Sequence, residues 1–261
     1  MHKAVAIIPA RFNSTRFPGK PLAALKGKSI IQHVYEHVSS AKLIDSVLVA
    51  TDDRRIFNAV TLFGGTAVMT SGDHASGTDR IAEAAEKIEC DYVINVQGDE
   101  PFIRPEMVDE VVELLYNDDK ASISTLAKKT TDMNEIFSPD VVKVVINQEG
   151  FALYFSRAPI PFYRDEWKNY ATQKTVGANG HSPLRNLHCY KHIGIYGYRK
   201  NALLQFTSMS QSRLEEIEKL EQLRALEAGI KIRVKETQYD TFGIDTIEDL
   251  RKAEEWQNIS L

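Results

Sequence analysis

Three cations, Arg11, Arg16 and Lys20, fall within ten residues of one another in Ala10-Arg11-Phe12-Asn13-Ser14-Thr15-Arg16-Phe17-Pro18-Gly19-Lys20-Pro21. Arginine grips phosphate oxygens in pairs, and lysine acts as a compact point charge. With Ser14 and a glycine added, the stretch is equipped to hold a polyphosphate. It matches neither G-x-x-x-x-G-K-[ST] nor G-x-G-x-x-G, which disfavours a P-loop and a standard dinucleotide fingerprint. Charge alone leaves a solvated basic loop as the competing reading. The carboxylate counterpart is Gly98-Asp99-Glu100-Pro101, directly after the apolar run Tyr92–Val96. Magnesium takes oxygen ligands, commonly one or two carboxylates plus substrate phosphates, so Asp99 is a candidate ligand. A plain turn before Pro101 is the other reading. Asp245 offers a second carboxylate. Glu248, three residues on, gives it capping-box spacing, and if Asp245 binds metal then Thr246 takes the cap.

These residues need elements to carry them. Short apolar runs at Val5–Ile8, Ser46–Ala50, Thr66–Met69 and Tyr92–Val96 read as buried strands. Helical patterns alternate with them: one after Ser29, a plausible N-cap, then Arg54–Phe63, Thr78–Ile88 and Pro105–Tyr116. The alternation predicts a doubly wound, mostly parallel α/β sheet over residues 1–117. In such sheets ligands sit beyond the carboxyl ends of the strands, where the basic loop and Asp99 both fall. Asp52 follows the second strand and reads as the N-cap of the next helix. His74-Ala75-Ser76-Gly77-Thr78-Asp79-Arg80 joins a strand to a helix. Its start can offer N–H groups to an anion or a base edge, or can simply be capped.

The second half is more β-rich. Val141–Asn147 and Phe151–Ser156 flank Gln148-Glu149-Gly150, a hairpin signal. Residues 164–187 read as a long polar excursion, and His192–Tyr198 as another strand. Leu214, Ile217, Leu220, Leu223 and Leu226 read as the core stripe of one long helix. A strand at Ile230–Val234 and a helix at Thr246–Trp256 close the chain. Polar groups at Arg157, His192, Glu221 and Gln222 sit beside apolar ones, which suits the rim of a sugar pocket or a structural role equally.

The 261 residues carry a net charge of −4, unevenly spread. The first 35 hold six cations and no carboxylate, so the remainder carries −10. A mildly acidic whole argues against a general nucleic-acid binder, and a local cationic block points to a small anionic ligand. Two cysteines, Cys90 and Cys189, make no disulfide framework and suit a reducing compartment. The apolar start is too short for a signal sequence, and no stretch approaches the roughly 20 apolar residues of a membrane span. These features predict a cytoplasmic protein.

Eight segments in order are similar to one family: A-R-F-N-S-T-R-F-P-G-K-P-L (10–22), A-T-D-D (50–53), H-A-S-G-T-D-R (74–80), N-V-Q-G-D-E-P (95–101), Y-F-S-R-A-P-I-P (154–161), H-I-G-I-Y-G-Y-R (192–199), L-E-Q-L-R (220–224) and G-I-D-T (243–246). Together they resemble the 3-deoxy-manno-octulosonate (Kdo) cytidylyltransferases of lipopolysaccharide biosynthesis. The resemblance implies a nucleotidyltransferase making CMP-Kdo and pyrophosphate from CTP and Kdo with Mg²⁺. It gives Arg11, Arg16, Lys20 and Asp99 catalytic roles, and assigns Ala10, Arg11, Ser14, Arg16, Lys20, Ser76 and Arg80 to the nucleotide. Gln97, Arg157, Tyr190, His192, Glu221 and Gln222 fall to the sugar, and Asp99 and Asp245 to the metal. It further implies one nucleotidyltransferase domain: a nucleotide half at 1–117, and a sugar-binding and dimerisation half at 118–261 whose end, 230–261, returns to the main sheet. A homodimer follows. Acceptors such as sialic acid or an amino-substituted Kdo stay open, as do a nucleotide-sugar glycosyltransferase and a CTP-binding regulator without catalysis.

Overall fold

The computed structural model describes residues 2–14, 16–164, 167 and 188–256. Its first half is β1 (Ala4–Ala10), β2 (Ala24–Leu25), β3 (Lys28–Ser29), α1 (Ile30–Ser39), β4 (Ser46–Thr51), α2 (Arg54–Leu62), β5 (Ala67–Met69), α3 (Gly77–Glu86), β6 (Tyr92–Asn95) and α4 (Pro105–Asn117). The apolar runs form strands because both sheet faces are covered, and β1 is buried along nearly its whole length. Alternate residues of β1 enter two different cores. Ala4, Ala6 and Ile8 pack with Ile31, Val34, Ile56 and Val108 on one face. Val5 and Ile7 pack with Ile81, Ala84 and Leu203 on the other.

The second half adds β7 (Ile123–Thr130), α5 (Met133–Phe137), β8 (Lys143–Ile146), β9 (Ala152–Ser156), β10 (Cys189–Arg199), α6 (Lys200–Thr207), α7 (Arg213–Glu218), α8 (Gln222–Glu227), β11 (Ile232–Glu236) and α9 (Ile247–Trp256). The main sheet runs β11-β7-β10-β6-β1-β4-β5, with β8 and β9 branching from β10. β1, β4, β5 and β6 are parallel, and β10 runs antiparallel to β6 and β7. The sheet therefore passes without a break across residue 117. From β1 the chain moves outward to β4 and β5, then returns to β6 on β1's other side. That reversal opens a crevice between the loops leaving β1 and β6.

The expected hairpin forms, with Lys143 opposite Ser156 and Gly150 in the left-handed region at φ 84°. The expected long helix does not. It is two short helices broken at Lys219, which adopts φ 55°. Leu220 and Leu223 are buried as the stripe requires, but Ile217 is 66% exposed. The polar excursion at 164–187 lies outside the described residues, apart from Arg164 and Trp167.

Candidate active site

The loop after β1 curls back on the Phe12 carbonyl, which accepts from the N–H groups of Ser14 (3.1 Å) and Gly19 (2.8 Å). Gly19 sits at φ 74°, and a Cβ there would lie 3.1 Å from the Phe12 ring. Arg55 stacks on that ring with its guanidinium carbon 3.3 Å from the centroid. The curl puts Arg11, Ser14, Arg16 and Lys20 along one wall of a cavity of about 380 Å³. Lys20 is nearly buried, and its ammonium donates to Asp99 Oδ2 at 2.5 Å and Asp245 Oδ1 at 3.0 Å. Arg16 Nη2 reaches the other Asp245 oxygen at 3.0 Å.

Asp99 and Asp245 are brought together by backbone. Where β6 ends, Gly98 passes so close to β1 that a Cβ would meet the Pro9 carbonyl at 2.7 Å. The next residue's carbonyl, Asp99 C=O, accepts from the N–H of the fully buried Ile244 at 2.8 Å. Asp245 is thereby set beside Asp99. Its carboxylate does not cap α9: Thr246 Oγ1 accepts from Asp249 N–H, and Asp249 accepts in return from the N–H groups of Asp245 and Thr246. The capping partner is thus Asp249 rather than Glu248. Glu100 turns away to accept from Thr241 Oγ1 at 2.9 Å. Desolvation, with the Asp99 charge beside it, pushes its carboxyl up to about 7. Two carboxylates converging on one cationic group form a donor set that fits a divalent metal carrying phosphate oxygens, with the Lys20 ammonium marking the place.

The opposite wall is the start of α3. Ser76 and Asp79 close a reciprocal capping box, so the Ser76 hydroxyl serves the helix while Ser76 also lines the cavity. Arg80 is buried, its Nη1 donating to Thr70 Oγ1 (2.6 Å) and the Ser71 carbonyl (3.1 Å). Asp52 stands 3.4 Å from Arg80 Nη2, while Asp53 caps α2 by accepting from Arg55 N–H. Helix capping belongs to the residue after the one expected. His74, also on the wall, meets Glu83 at 2.6 Å. Hydrogen bonds from Lys87, the Ser71 N–H and His74 hold the Glu83 carboxyl down at about 2.

Residues 5–232 match the cytidylyltransferase family. The chain is 54% identical over 262 residues to the 3-deoxy-manno-octulosonate cytidylyltransferase of Thermodesulfovibrio yellowstonii, covering 97% of this chain and 98% of that one. It is 50% identical to the protein of the same name from Pelobacter propionicus, covering 96% and 95%. The chain belongs to the 3-deoxy-manno-octulosonate cytidylyltransferase family. Its fold superposes on a solved CMP:2-keto-3-deoxy-manno-octonic acid synthetase complexed with CTP at TM-score 0.88 and 42% identity, covering 99% of this chain and all of that one.

In this cytidylyltransferase the whole expected nucleotide set, Ala10, Arg11, Ser14, Arg16, Lys20, Ser76 and Arg80, lines the one cavity with Asp99 and Asp245. Gln97 and Glu221 line it too. The structure does not bring Arg157, Tyr190, His192 or Gln222 to that wall. Arg157 donates to the carbonyls of Pro139, Glu218 and Lys219, and its own carbonyl is gripped by the fully buried Lys143. Tyr190 donates to Glu236, and Gln222 is buried on α8. Thr125 Oγ1 gives its one proton to the Ile195 carbonyl at 2.7 Å, so His192 Nε2–H donates to it at 2.9 Å. Glu221 projects from the start of a short helix, not from the middle of a long one. Sequence reasoning missed His74 as a wall residue. It opens the H-A-S-G-T-D-R segment, but only the fold shows Glu83 turning its ring there.

Proposed function

We propose that this enzyme transfers the CMP group of CTP to Kdo and releases pyrophosphate, activating the sugar for lipopolysaccharide assembly. The observation that carries the reading is Lys20 gripping Asp99 and Asp245 in a cavity also lined by Arg11, Arg16 and Arg80. Arg11, Arg16 and Lys20 bind the triphosphate and stabilise the charge that builds on departing pyrophosphate. Arg80, with Ser76 and backbone around Ala10, reads the cytosine. Gln97 and Glu221 face the sugar, while Arg157, Tyr190, His192 and Gln222 shape that side from behind. The anomeric hydroxyl attacks the α-phosphorus in line, and catalysis is mainly positioning and charge stabilisation. Asp99 and Asp245 would hold Mg²⁺, which lowers the pKa of a bound hydroxyl and polarises phosphate.

The division of labour between residues 1–117 and 118–261 belongs to the same proposal, with the returning segment 230–261 supplying Asp245. We also infer a homodimer through the β-rich middle, where Leu153 on β9 is 60% exposed and Phe162 67%. Light scattering after size exclusion checks it, and a monomer mass overturns it. For the reaction, pyrophosphate release is measured with CTP, with and without Kdo, and with sialic acid or amino-substituted Kdo in its place. Release that needs both CTP and Kdo supports the proposal. Binding of CTP without release points to a regulator, and release only with another acid sugar moves the acceptor.

A further inference from the structure

Thr78 is the second residue of α3. Ser76 and Asp79 already satisfy the helix start between them, which leaves the Thr78 hydroxyl to act outside its own helix. The side chain is buried, and its Oγ1 donates to Glu221 Oε2 at 2.7 Å across 143 residues of sequence. Among the described residues this is the one side-chain hydrogen bond that Glu221 makes.

The backbone under Glu221 is already fixed. Lys219 ends α7 in a left-handed turn, and buried Leu220 and Leu223 pin the chain on either side. What remains free is the direction of the carboxylate. Arg224 acts on Glu221 by charge alone, its guanidinium being hydrogen-bonded to Glu215 at 2.8 and 2.6 Å. Burial raises the Glu221 pKa, and the Thr78 bond opposes that by favouring the charged form. Thr78 also lies between Ser76 and Arg80, two wall residues on the nucleotide side.

We propose that Thr78 is a positioning residue: its hydroxyl aims the Glu221 carboxylate at the acceptor sugar and ties that carboxylate to the helix that faces the nucleotide. The inference rests on the CTP-and-Kdo reading. One rigid strut then sets the spacing between the two substrates, a distance on which in-line attack depends.

Steady-state pyrophosphate release tests it, with CTP and Kdo varied separately in wild type, Thr78→Val, Thr78→Ser, Glu221→Ala and the Thr78→Val/Glu221→Ala pair. Valine keeps the shape and removes the hydroxyl; serine restores it. Thr78→Val raises the KM for Kdo roughly tenfold and leaves the KM for CTP within about twofold, the scale of losing one hydrogen bond to a charged group. Thr78→Ser returns the Kdo KM to near wild type. The double variant is no worse than Glu221→Ala alone, because alanine leaves Thr78 no acceptor to aim and Thr78 acts through Glu221. Additive losses, equal damage to both KM values, or no rescue by serine overturns the role. If the wild-type chain releases no pyrophosphate from CTP and Kdo, the functional reading fails and this role falls with it. Wild-type turnover with an unchanged Kdo KM in Thr78→Val overturns the role alone.

Discussion

Lys20 neutralises two carboxylates that lie 79 and 225 residues further along the chain. Both are partly exposed, at 31% and 47%, so each pair adds little to folding stability. Their value is chemical, and this separates two outcomes of one substitution. Asp99→Ala leaves Lys20 its bond to Asp245, so denaturation monitored by circular dichroism shifts by no more than about 1 kcal/mol. Pyrophosphate release falls by roughly two to three orders of magnitude, because a carboxylate that would hold the charge-balancing Mg²⁺ against the phosphates is gone. Near-normal turnover at saturating Mg²⁺ ends the case for Asp99. Lys20→Met gives the converse. It removes the internal cation and leaves Asp99 and Asp245 facing one another, so Mn²⁺ alone, titrated by calorimetry without nucleotide, binds more tightly than to wild type. Weaker or equal Mn²⁺ binding shows that the two carboxylates do not share a metal.

At the scale of elements, periodicity located the strands β1, β4, β5, β6 and β8 to β11 and the helices α1 to α4 and α9, but it named neither β7 nor α5 and α6. Of the residues it placed at strand ends, those of the basic loop and Asp99 line the cavity and Asp52 does not. Its failure between 213 and 227 has a geometric cause. Residues spaced strictly by three fall about 60° short of a full turn at each step, so five of them wrap most of the way around a helix with 3.6 residues per turn. No straight helix can bury all five, and the chain breaks at Lys219, leaving Ile217 in solvent. The two short helices depend on the buried Arg224–Glu215 pair, whose side chains are 9% and 5% exposed. Arg224→Met strands the Glu215 charge and costs about 3–5 kcal/mol in urea denaturation. A loss under 1 kcal/mol shows that something else joins α7 to α8. Gly98 is the matching constraint on the first half. Gly98→Ala pushes a methyl against the Pro9 carbonyl, and overpacking of this kind costs about 1–3 kcal/mol. It also moves the two loops that carry Lys20 and Asp99 apart, so turnover drops with stability.

At the scale of the whole molecule, the basic block in the first 35 residues pointed to an anion site, and three of its six cations, Arg11, Arg16 and Lys20, do line the cavity. Which carboxylates answer them depended on topology: Ile244 must bond to the Asp99 carbonyl before Asp245 can arrive. No local spacing records that contact. The same holds for His192, where pattern showed a strand and only packing shows a ring between Phe155 and Tyr196 at the join of β8–β9 with the main sheet. Burial holds this imidazole down at about 3, against an ordinary 6.5 in the unfolded chain. Between those values the unfolded chain binds the extra proton, so stability rises with pH there and is lost as pH falls from about 6.5 toward 3. One such proton gives at most about 1.4 kcal/mol per pH unit. His192→Gln keeps an N–H for Thr125 and removes the titration. The stability difference between wild type and this variant, from urea melts between pH 8 and 5, cancels carboxylates common to both, Glu83 and Glu100 among them. It is constant above about pH 7 and moves steadily against wild type below 6.5. Parallel curves through that range show that the ring gains a proton without opening the join.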